Sequence, residues 1–447
     1  MRQTFVRNFP RFYQVLMFLF VSVLSGCVKD HPYPPTATNE KADVVYDWYK
    51  LIIHNQIGTT PPLVVLQNNR DLSYLGIGLY EAVQHGIKGG HTLSSMLYQM
   101  PAMPQPEMNE KYSWEVSANA AMASLSKLIL VGVTAADQAS MDSLEKAYND
   151  RYMANTKEDV FKRSQEFGRA IAWAVHEWSK SDNFNLSSEG YDIPVFEGSW
   201  EKTPPGFVNP VGPFLKNSRP FLESSLHAIT PPMPFPYSEE KGSKFYGEAN
   251  EVYQIGLKLN DERKAIARHW ADFGGPGIGY AGGGHLLYIL TDFLQDKKAK
   301  LGDAAEVYAK TGIALKESIY IVWKGKYEVN LLRPITYINK HIDPAWQSWL
   351  TTPPYPDYPS GLAAVYCTAF ETVKAKYGDK PITDNAYNWR GDKAKKFPSI
   401  TKMVAESADS RVFGGIHYRF TQNITLKMAE GLGKKIAELP LVSKGND

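Results

Sequence analysis

KYEVNLLRP, at residues 326–334, is the first of three short segments whose side chains are suited to binding an anion. The second is PSGL at residues 359–362, and the third is SRVFGGIH at residues 410–417. Arginine presents a flat fork of N–H donors that grips two oxygens of a phosphate-like group, and lysine adds a compact positive charge. If the fold brings these segments together, they form a site for a multiply charged oxyanion.

The second segment also contributes backbone groups. Gly361 has no Cβ, so the chain can approach a ligand closely there. Residues 362–376 are predicted to be helical, and the free N–H groups and dipole at the start of a helix favour an anion. We therefore predict an oxyanion site whose binding residues are Lys326, Arg333, Ser360, Gly361 and Arg411, with His417 facing the central atom.

The order and spacing of the segments resemble the three motifs of the vanadium-dependent haloperoxidase and type 2 phosphatidic-acid phosphatase superfamily. These motifs are Lys, six residues, Arg-Pro; then Pro-Ser-Gly-His; then Ser-Arg, five residues, His, three residues, Asp. The first motif matches fully, whereas Leu362 stands where the second has His and Thr421 where the third has Asp. The resemblance implies that the missing His is a general acid or base and that the missing Asp orients His417.

For a haloperoxidase, the resemblance implies that vanadate is the cofactor and that the predicted oxyanion site holds its oxygens. His417 and Lys326 would be the catalytic residues: His417 coordinates vanadium through Nε2, and Lys326 polarises bound peroxide. Because Leu362 cannot transfer a proton, we expect a rate lower by a factor of about 100 to 10,000, so that a weak activity survives.

Three alternatives remain open at this stage. In a phosphatase, with phosphate as the ligand, His417 would attack phosphorus, and His285 or His341 would replace the missing acid. A non-catalytic envelope lipoprotein would bind an oxyanion or a phosphorylated small molecule. In a purely structural polar core, the two arginines of the oxyanion site would pair with Glu328 or Asp409.

Hydrophobic periodicity predicts an all-α protein built as a multi-helix bundle. Leu72, Leu75, Leu79 and Val83 recur at helical spacing, and no long alternating strand is found. We expect an N-terminal helical half at 43–242 and a C-terminal helical half at 243–447, which carries the oxyanion site. Residues 182–242, rich in Pro, Gly and aromatic residues, are predicted to be a long irregular loop. Further helices are predicted at 243–258, 261–272, 285–296, 303–323, 362–376, 398–412 and 422–438, with loops at 341–358 and 378–397.

Residues 1–26 have a basic start and an apolar run too short to span a bilayer, which is typical of an export signal. Its ending with Cys27, LSGC, resembles a bacterial lipobox, which implies cleavage and lipid attachment at Cys27. The alternative is an ordinary cleaved signal with an incidental cysteine. Residues 27–42 would then be a tether, and the protein would lie at the bacterial cell envelope, in the outer membrane or at the cell surface. The formal net charge of +2 gives no argument for a nucleic-acid partner.

Overall fold

The computed structural model describes residues 33–57, 59, 61–275 and 279–443, and 13 α-helices lie in this part of the chain. The predicted all-α class is confirmed. Cys27, the export signal and the first part of the tether lie outside the described residues, as do the last four residues of the chain. Among the helices that are described, none combines the length and the apolar character needed to cross a membrane.

The N-terminal half contains five helices, and the second of them is almost completely buried. Their bounds are α1 Asp43–Ile57, α2 Val65–Val83, α3 Trp114–Ile129, α4 Ala135–Met153 and α5 Glu158–Ser179. Helix α4 begins with a capping box, in which the Thr134 side chain accepts from the Asp137 N–H and the Asp137 side chain accepts from the Thr134 N–H.

The described residues of the C-terminal half form eight helices. Their bounds are α6 Lys244–Leu257, α7 Asp261–His269, α8 Gly283–Asp296, α9 Leu301–Val329, α10 Pro334–His341, α11 Gly361–Tyr377, α12 Ile400–Phe413 and α13 Arg419–Ala437. Helices α2 and α9 pack closely because each has a glycine that lies against the backbone of the other helix. A Cβ on Gly76 would lie 2.4 Å from the Tyr308 carbonyl oxygen, and one on Gly312 would lie 2.6 Å from that of Ser73.

Two short antiparallel strand pairs are present among the described residues, and one of them lies in a predicted loop. Strands β1 Phe273–Gly275 and β2 Gly279–Ala281 pair with each other, as do β3 Ile382–Asp384 and β4 Lys395–Phe397. The prediction of loop throughout 378–397 is therefore wrong, because the backbone groups of two three-residue strands bond to each other there. Helix α10 was also not predicted; Pro334 at its first position fits, since that position needs no N–H donor.

The segment 182–242 contains only 3-10 turns and no α-helix or strand, yet it packs tightly against the C-terminal half. The Trp200 N–H donates to the Asn330 carbonyl at 2.7 Å, and the Leu332 N–H donates to the Gly198 carbonyl at 3.0 Å. The Val211 carbonyl accepts from the Tyr327 hydroxyl at 2.7 Å. The segment thus covers the end of α9 and its connection to α10.

Candidate oxyanion site

The residues predicted for the oxyanion site lie at helix ends that meet in the C-terminal half. Lys326 is in the last turn of α9, and Arg333 is the N-cap of α10. Ser360 and Gly361 begin α11, Arg411 is in the last turn of α12, and His417 lies between α12 and α13. Asn330, with a φ of 50°, ends α9 in the left-handed region and turns the chain towards Arg333.

Lys326 is completely buried, and its ammonium group is already engaged. Nζ donates to the carbonyls of Pro356, Asp357 and Pro359 at 2.8, 3.0 and 2.6 Å. Burial, assisted by the neighbouring Arg333 guanidinium, lowers the pKa of Lys326 well below its usual range. An ammonium has three N–H donors, so in this arrangement Lys326 holds the loop before Ser360 and keeps no donor for a ligand.

Arg333 and Ser360 supply the donors that are free. Arg333 donates from Nε to the Tyr355 carbonyl at 2.8 Å and from Nη1 to the Ile416 carbonyl at 2.7 Å, but its buried Nη2 has no partner among the described residues. Ser360 has a buried Oγ that is also without a partner, and it does not cap α11. Because leaving buried polar atoms unpaired is costly, both atoms indicate a site that accepts a polar ligand.

His417 is held by a carboxylate that the sequence reasoning did not identify. Its Nδ1 lies 2.9 Å from Oδ1 of Asp357, and the Thr421 hydroxyl donates to Oδ2 of the same carboxylate at 2.5 Å. With Nδ1–H donating to Asp357, Nε2 carries the lone pair, and it lies 3.2 Å from Nη1 of Arg333. Asp357 therefore orients His417, the role that the resemblance implied for an Asp at position 421.

The charge state of His417 follows from its surroundings. Burial lowers its pKa to about 3, and the Arg333 guanidinium adds to this effect against the opposing Asp357 carboxylate. His417 is thus neutral at physiological pH. A neutral imidazole with a fixed tautomer and a lone pair at Nε2 is suited to act as a metal ligand or a nucleophile.

Arg411 is tied to the backbone of the segment after α7. Its Nη2 donates to the Trp270 carbonyl, and its Nε donates to the Ser410 hydroxyl at 3.1 Å. Burial lowers its pKa to about 10, although the Asp272 carboxylate acts in the opposite direction. Arg411 therefore keeps its charge at neutral pH.

The pairing proposed for a purely structural core is wrong. Asp409 is bound to Arg419, and Glu328 accepts from the Thr230 hydroxyl at 2.6 Å and lies 3.6 Å from Lys324. Neither carboxylate pairs with an arginine of the oxyanion site, because each is used by a nearer partner.

No acid occupies the position where the second motif has His. Leu362 is half-buried and packs against the main hydrophobic core. His285 lies between Asp272 and Asp384, and His341 lies 3.4 Å from the Tyr237 hydroxyl. Neither histidine proposed as a substitute acid is hydrogen-bonded to the oxyanion site in the described part of the chain.

Acidification is expected to destabilise the protein through His417. A histidine in an unfolded chain has a pKa of about 6.5, whereas that of His417 is lowered to about 3. Between these values the unfolded chain binds more protons, so the free energy of unfolding falls as pH drops through this window. Urea midpoints at about pH 7 and pH 5 should show a smaller decrease for His417→Gln than for the wild type. The exposed His91, changed to Gln, is the control; equal decreases in all three proteins would contradict the prediction.

Comparison with known proteins identifies the same half of the chain. Residues 306–441, which include the whole oxyanion site, match the family model described as the VCPO second helical-bundle domain. The vanadium chloroperoxidase of Curvularia inaequalis is 23% identical over 187 residues, which cover 30% of this chain and 31% of that protein. The chain thus matches less than a third of the length of this curated relative.

Solved structures are similar over nearly all of the chain. A bacterial vanadium-dependent iodoperoxidase is 27% identical, with a TM-score of 0.76 over 89% of this chain and 96% of its own. The apo and holo forms of a bacterial vanadium-dependent chloroperoxidase have TM-scores of 0.61 and 0.60 at 16% and 17% identity, and both cover 86% of this chain. The aligned regions cover 96% and 94% of those two chains. At these low identities they show a shared fold and nothing more. The family-model match, the curated chloroperoxidase and the iodoperoxidase structure together support the vanadium haloperoxidase superfamily for this chain.

Proposed function

We propose that this protein binds vanadate in the oxyanion site and slowly oxidises iodide with hydrogen peroxide. The observation that carries the proposal is His417, which is neutral, oriented by Asp357 and has its Nε2 lone pair beside Arg333. The iodoperoxidase similarity points to iodide, which is also the most easily oxidised of iodide, bromide and chloride.

The residues present fit vanadate, an oxyanion that needs hydrogen-bond donors and one nitrogen ligand. Arg333 Nη2 and Ser360 Oγ are buried and unpartnered, and the N–H groups at the start of α11 are free of intrahelical bonds. Arg411 adds charge, and His417 offers the nitrogen. Lys326 departs from this set because its donors are bound to carbonyls.

Vanadate, when bound, would supply Lewis-acid activation of hydrogen peroxide. Overall, iodide, hydrogen peroxide and a proton give hypoiodous acid and water, so two electrons pass from iodide to peroxide. Arg333 and Arg411 would hold the anion, and Asp357 would keep the proton on Nδ1 of His417 so that Nε2 stays unprotonated. Leu362 delivers no proton, which supports slow turnover.

A second function, oxyanion binding without catalysis, is favoured by one specific observation. All three donors of Lys326 bind carbonyls, so the lysine would act on the loop instead of on bound peroxide. The protein thus lacks two groups that would act in the reaction, a lysine free to contact peroxide and an acid at position 362. The groups that bind an anion are kept. Phosphate is the alternative ligand for such a binding protein. Phosphomonoester hydrolysis through His417 is a separate, catalytic alternative. For either function, we propose that lipid on Cys27 attaches the protein to the cell envelope.

The enzymatic proposal is tested by triiodide formation with orthovanadate, hydrogen peroxide and iodide. The wild-type protein should form triiodide faster than His417→Ala. Para-nitrophenyl phosphate, assayed in parallel, should not be hydrolysed. If the wild type and His417→Ala give the same rate with iodide, the peroxidase proposal is lost. Turnover of the phosphate ester that depends on His417 would assign the phosphatase activity instead.

Oxyanion binding is expected to raise the melting temperature. A ligand at 100 times its dissociation constant stabilises the folded state by about 2.7 kcal/mol, so millimolar orthovanadate or phosphate should give a shift of a few degrees. Arg411→Ala should abolish the shift, and Arg411→Lys, which keeps the charge but not the fork, should retain part of it. Arg169, which is exposed and paired with Glu145 at 3.0 Å, provides the matched control Arg169→Ala. Equal shifts in the Arg411→Ala and Arg169→Ala proteins would contradict binding at this site.

A further inference from the structure

Two histidines and an aspartate converge outside the oxyanion site. His269 ends α7, His285 lies in the first turn of α8, and Asp384 ends β3. Oδ2 of Asp384 lies 2.6 Å from Nε2 of His269 and 2.9 Å from Nε2 of His285. The three atoms lie within 4.8 Å of one another, and all three side chains are buried. Residues far apart in sequence thus present two imidazole nitrogens and one carboxylate oxygen to one point.

A second layer of hydrogen bonds fixes how these groups point. Nδ1 of His285 lies 2.8 Å from Oδ1 of Asp272, and Oδ1 of Asp384 accepts from the Ala386 N–H at 2.9 Å. The hydroxyls of Tyr366 and Tyr387 donate to Asp272 at 2.8 and 3.2 Å. A carboxylate on the far nitrogen of a histidine is the usual support of a metal-binding imidazole, because it sets the tautomer and the ring orientation.

We propose that His269, His285 and Asp384 bind a divalent transition-metal ion, at a site separate from the oxyanion site. Two imidazoles and one carboxylate are the ligand set of zinc and non-haem iron sites that keep an open position for water or an anion. The chain therefore has, besides the oxyanion site, a place for a cation.

The present distances are those of hydrogen bonds, and a metal would replace the shared protons. Zinc binds nitrogen and oxygen ligands at about 2.0 to 2.2 Å, which places tetrahedral ligand atoms about 3.3 Å apart. The Asp384 oxygen would therefore move away from each imidazole nitrogen by roughly half an ångström, and the two imidazole nitrogens would have to draw closer together. Each imidazole must give up its Nε2 proton, so the affinity should rise with pH.

Two carboxylates, Asp272 and Asp384, bring negative charge to the cluster. Although burial opposes this effect, they raise the pKa of His285 to about 10, so a metal ion would have to displace its proton. Positive groups also lie nearby, since Lys395 acts on His269 and the Arg411 guanidinium faces Asp272.

His269 also lines a surface cavity of about 460 Å³, whereas His285 and Asp384 do not, so His269 is the proposed ligand closest to solvent. The cavity wall carries four basic and three acidic side chains, of which Arg390 pairs with Asp392 and Lys395 with Glu406: Arg268, Arg390, Lys393 and Lys395 with Glu262, Asp392 and Glu406.

The test is calorimetric titration of the full chain, freed of metal by a chelator, with Zn²⁺. One equivalent should bind to the wild type, and His269→Ala and Asp384→Asn should each lower the affinity at least about tenfold. His269 lies at the cavity edge, so its removal threatens the fold less than removal of the enclosed His285. The control is His91→Ala, which removes an exposed imidazole whose Nε2 lies 2.7 Å from the Ser443 hydroxyl. It should bind like the wild type.

Two further measurements locate the ion. Co²⁺ should give visible absorption bands in the wild type that His269→Ala loses, and anomalous diffraction at the zinc edge should place one peak between the three ligand atoms. Binding should weaken from about pH 7.5 to pH 5.5. The proposal is overturned if no equivalent binds, if His269→Ala binds as the wild type does, or if the peak lies on surface histidines. None of these results depends on peroxidase activity, so the two proposals can fail separately.

Discussion

Leu362→His is expected to raise the rate of vanadate-dependent iodide oxidation by a factor of about 100 to 10,000, the usual contribution of a general acid or base. Leu362 is the second residue of α11 and directly follows Gly361, so the new imidazole would stand beside the groups that hold the anion. Leucine and histidine are similar in size, and Leu362 is only half-buried, so the fold should tolerate the change.

The measurement is steady-state triiodide formation at saturating orthovanadate, compared across pH. Leu362→Asn is the matched control, because it adds polarity of similar size without a titratable proton. Only the histidine variant should show a rate that follows the protonation of one group near neutral pH. If both variants keep the wild-type rate while still binding vanadate, the missing acid is not what limits turnover.

Asp357→Asn is expected to lower iodide oxidation by about 10 to 100-fold, as loss of a partner behind a metal ligand commonly does. The amide can donate to Nδ1 of His417, which would place the ring proton on Nε2 and remove the lone pair that faces Arg333. The nitrogen shifts of the His417 ring in NMR spectra should report this change of tautomer. A merely structural loss would leave the tautomer as it is.

Rescue makes this prediction sharper. Adding Thr421→Asp to the Asp357→Asn protein returns a carboxylate to the space beside His417, since the Thr421 hydroxyl lies 2.5 Å from the carboxylate of Asp357. The double variant should recover much of the rate. Asp409→Asn, which removes a carboxylate paired with Arg419 instead, is the control and should behave as wild type. If Asp357→Asn shows full activity, Asp357 does not position His417.

The motif residues could be recognised from the sequence because each motif is local. Lys326 and Arg333 are separated by one helix end, and Ser360 and Gly361 are adjacent to a helix start, so spacing alone places them. Asp357 could not be assigned in this way, since it acts on His417 across 60 positions of the chain. The signal was present in YPDYP, residues 355–359, a carboxylate within a Pro-rich turn directly before the second motif.

The parts of the fold that the sequence did not reveal are those stabilised by distant contacts. Three-residue strands such as β3 and β4 are too short for an alternating pattern, and they exist because their backbones pair with each other. His269, one of the two histidines of the proposed cation site, is the last residue of α7. No sequence motif surrounds this histidine. Its partner Asp384 is on β3, so only the fold brings the two together.

The loop 355–359 contacts three residues of the oxyanion site at once. Its carbonyls bind Lys326, the Tyr355 carbonyl binds Arg333, and Asp357 binds His417. These side chains are therefore already ordered in the folded protein before a ligand binds. The entropic cost of ordering them does not reduce the free energy of binding, so the affinity is higher. A change that loosens this loop would weaken anion binding although no residue that faces the anion had been replaced.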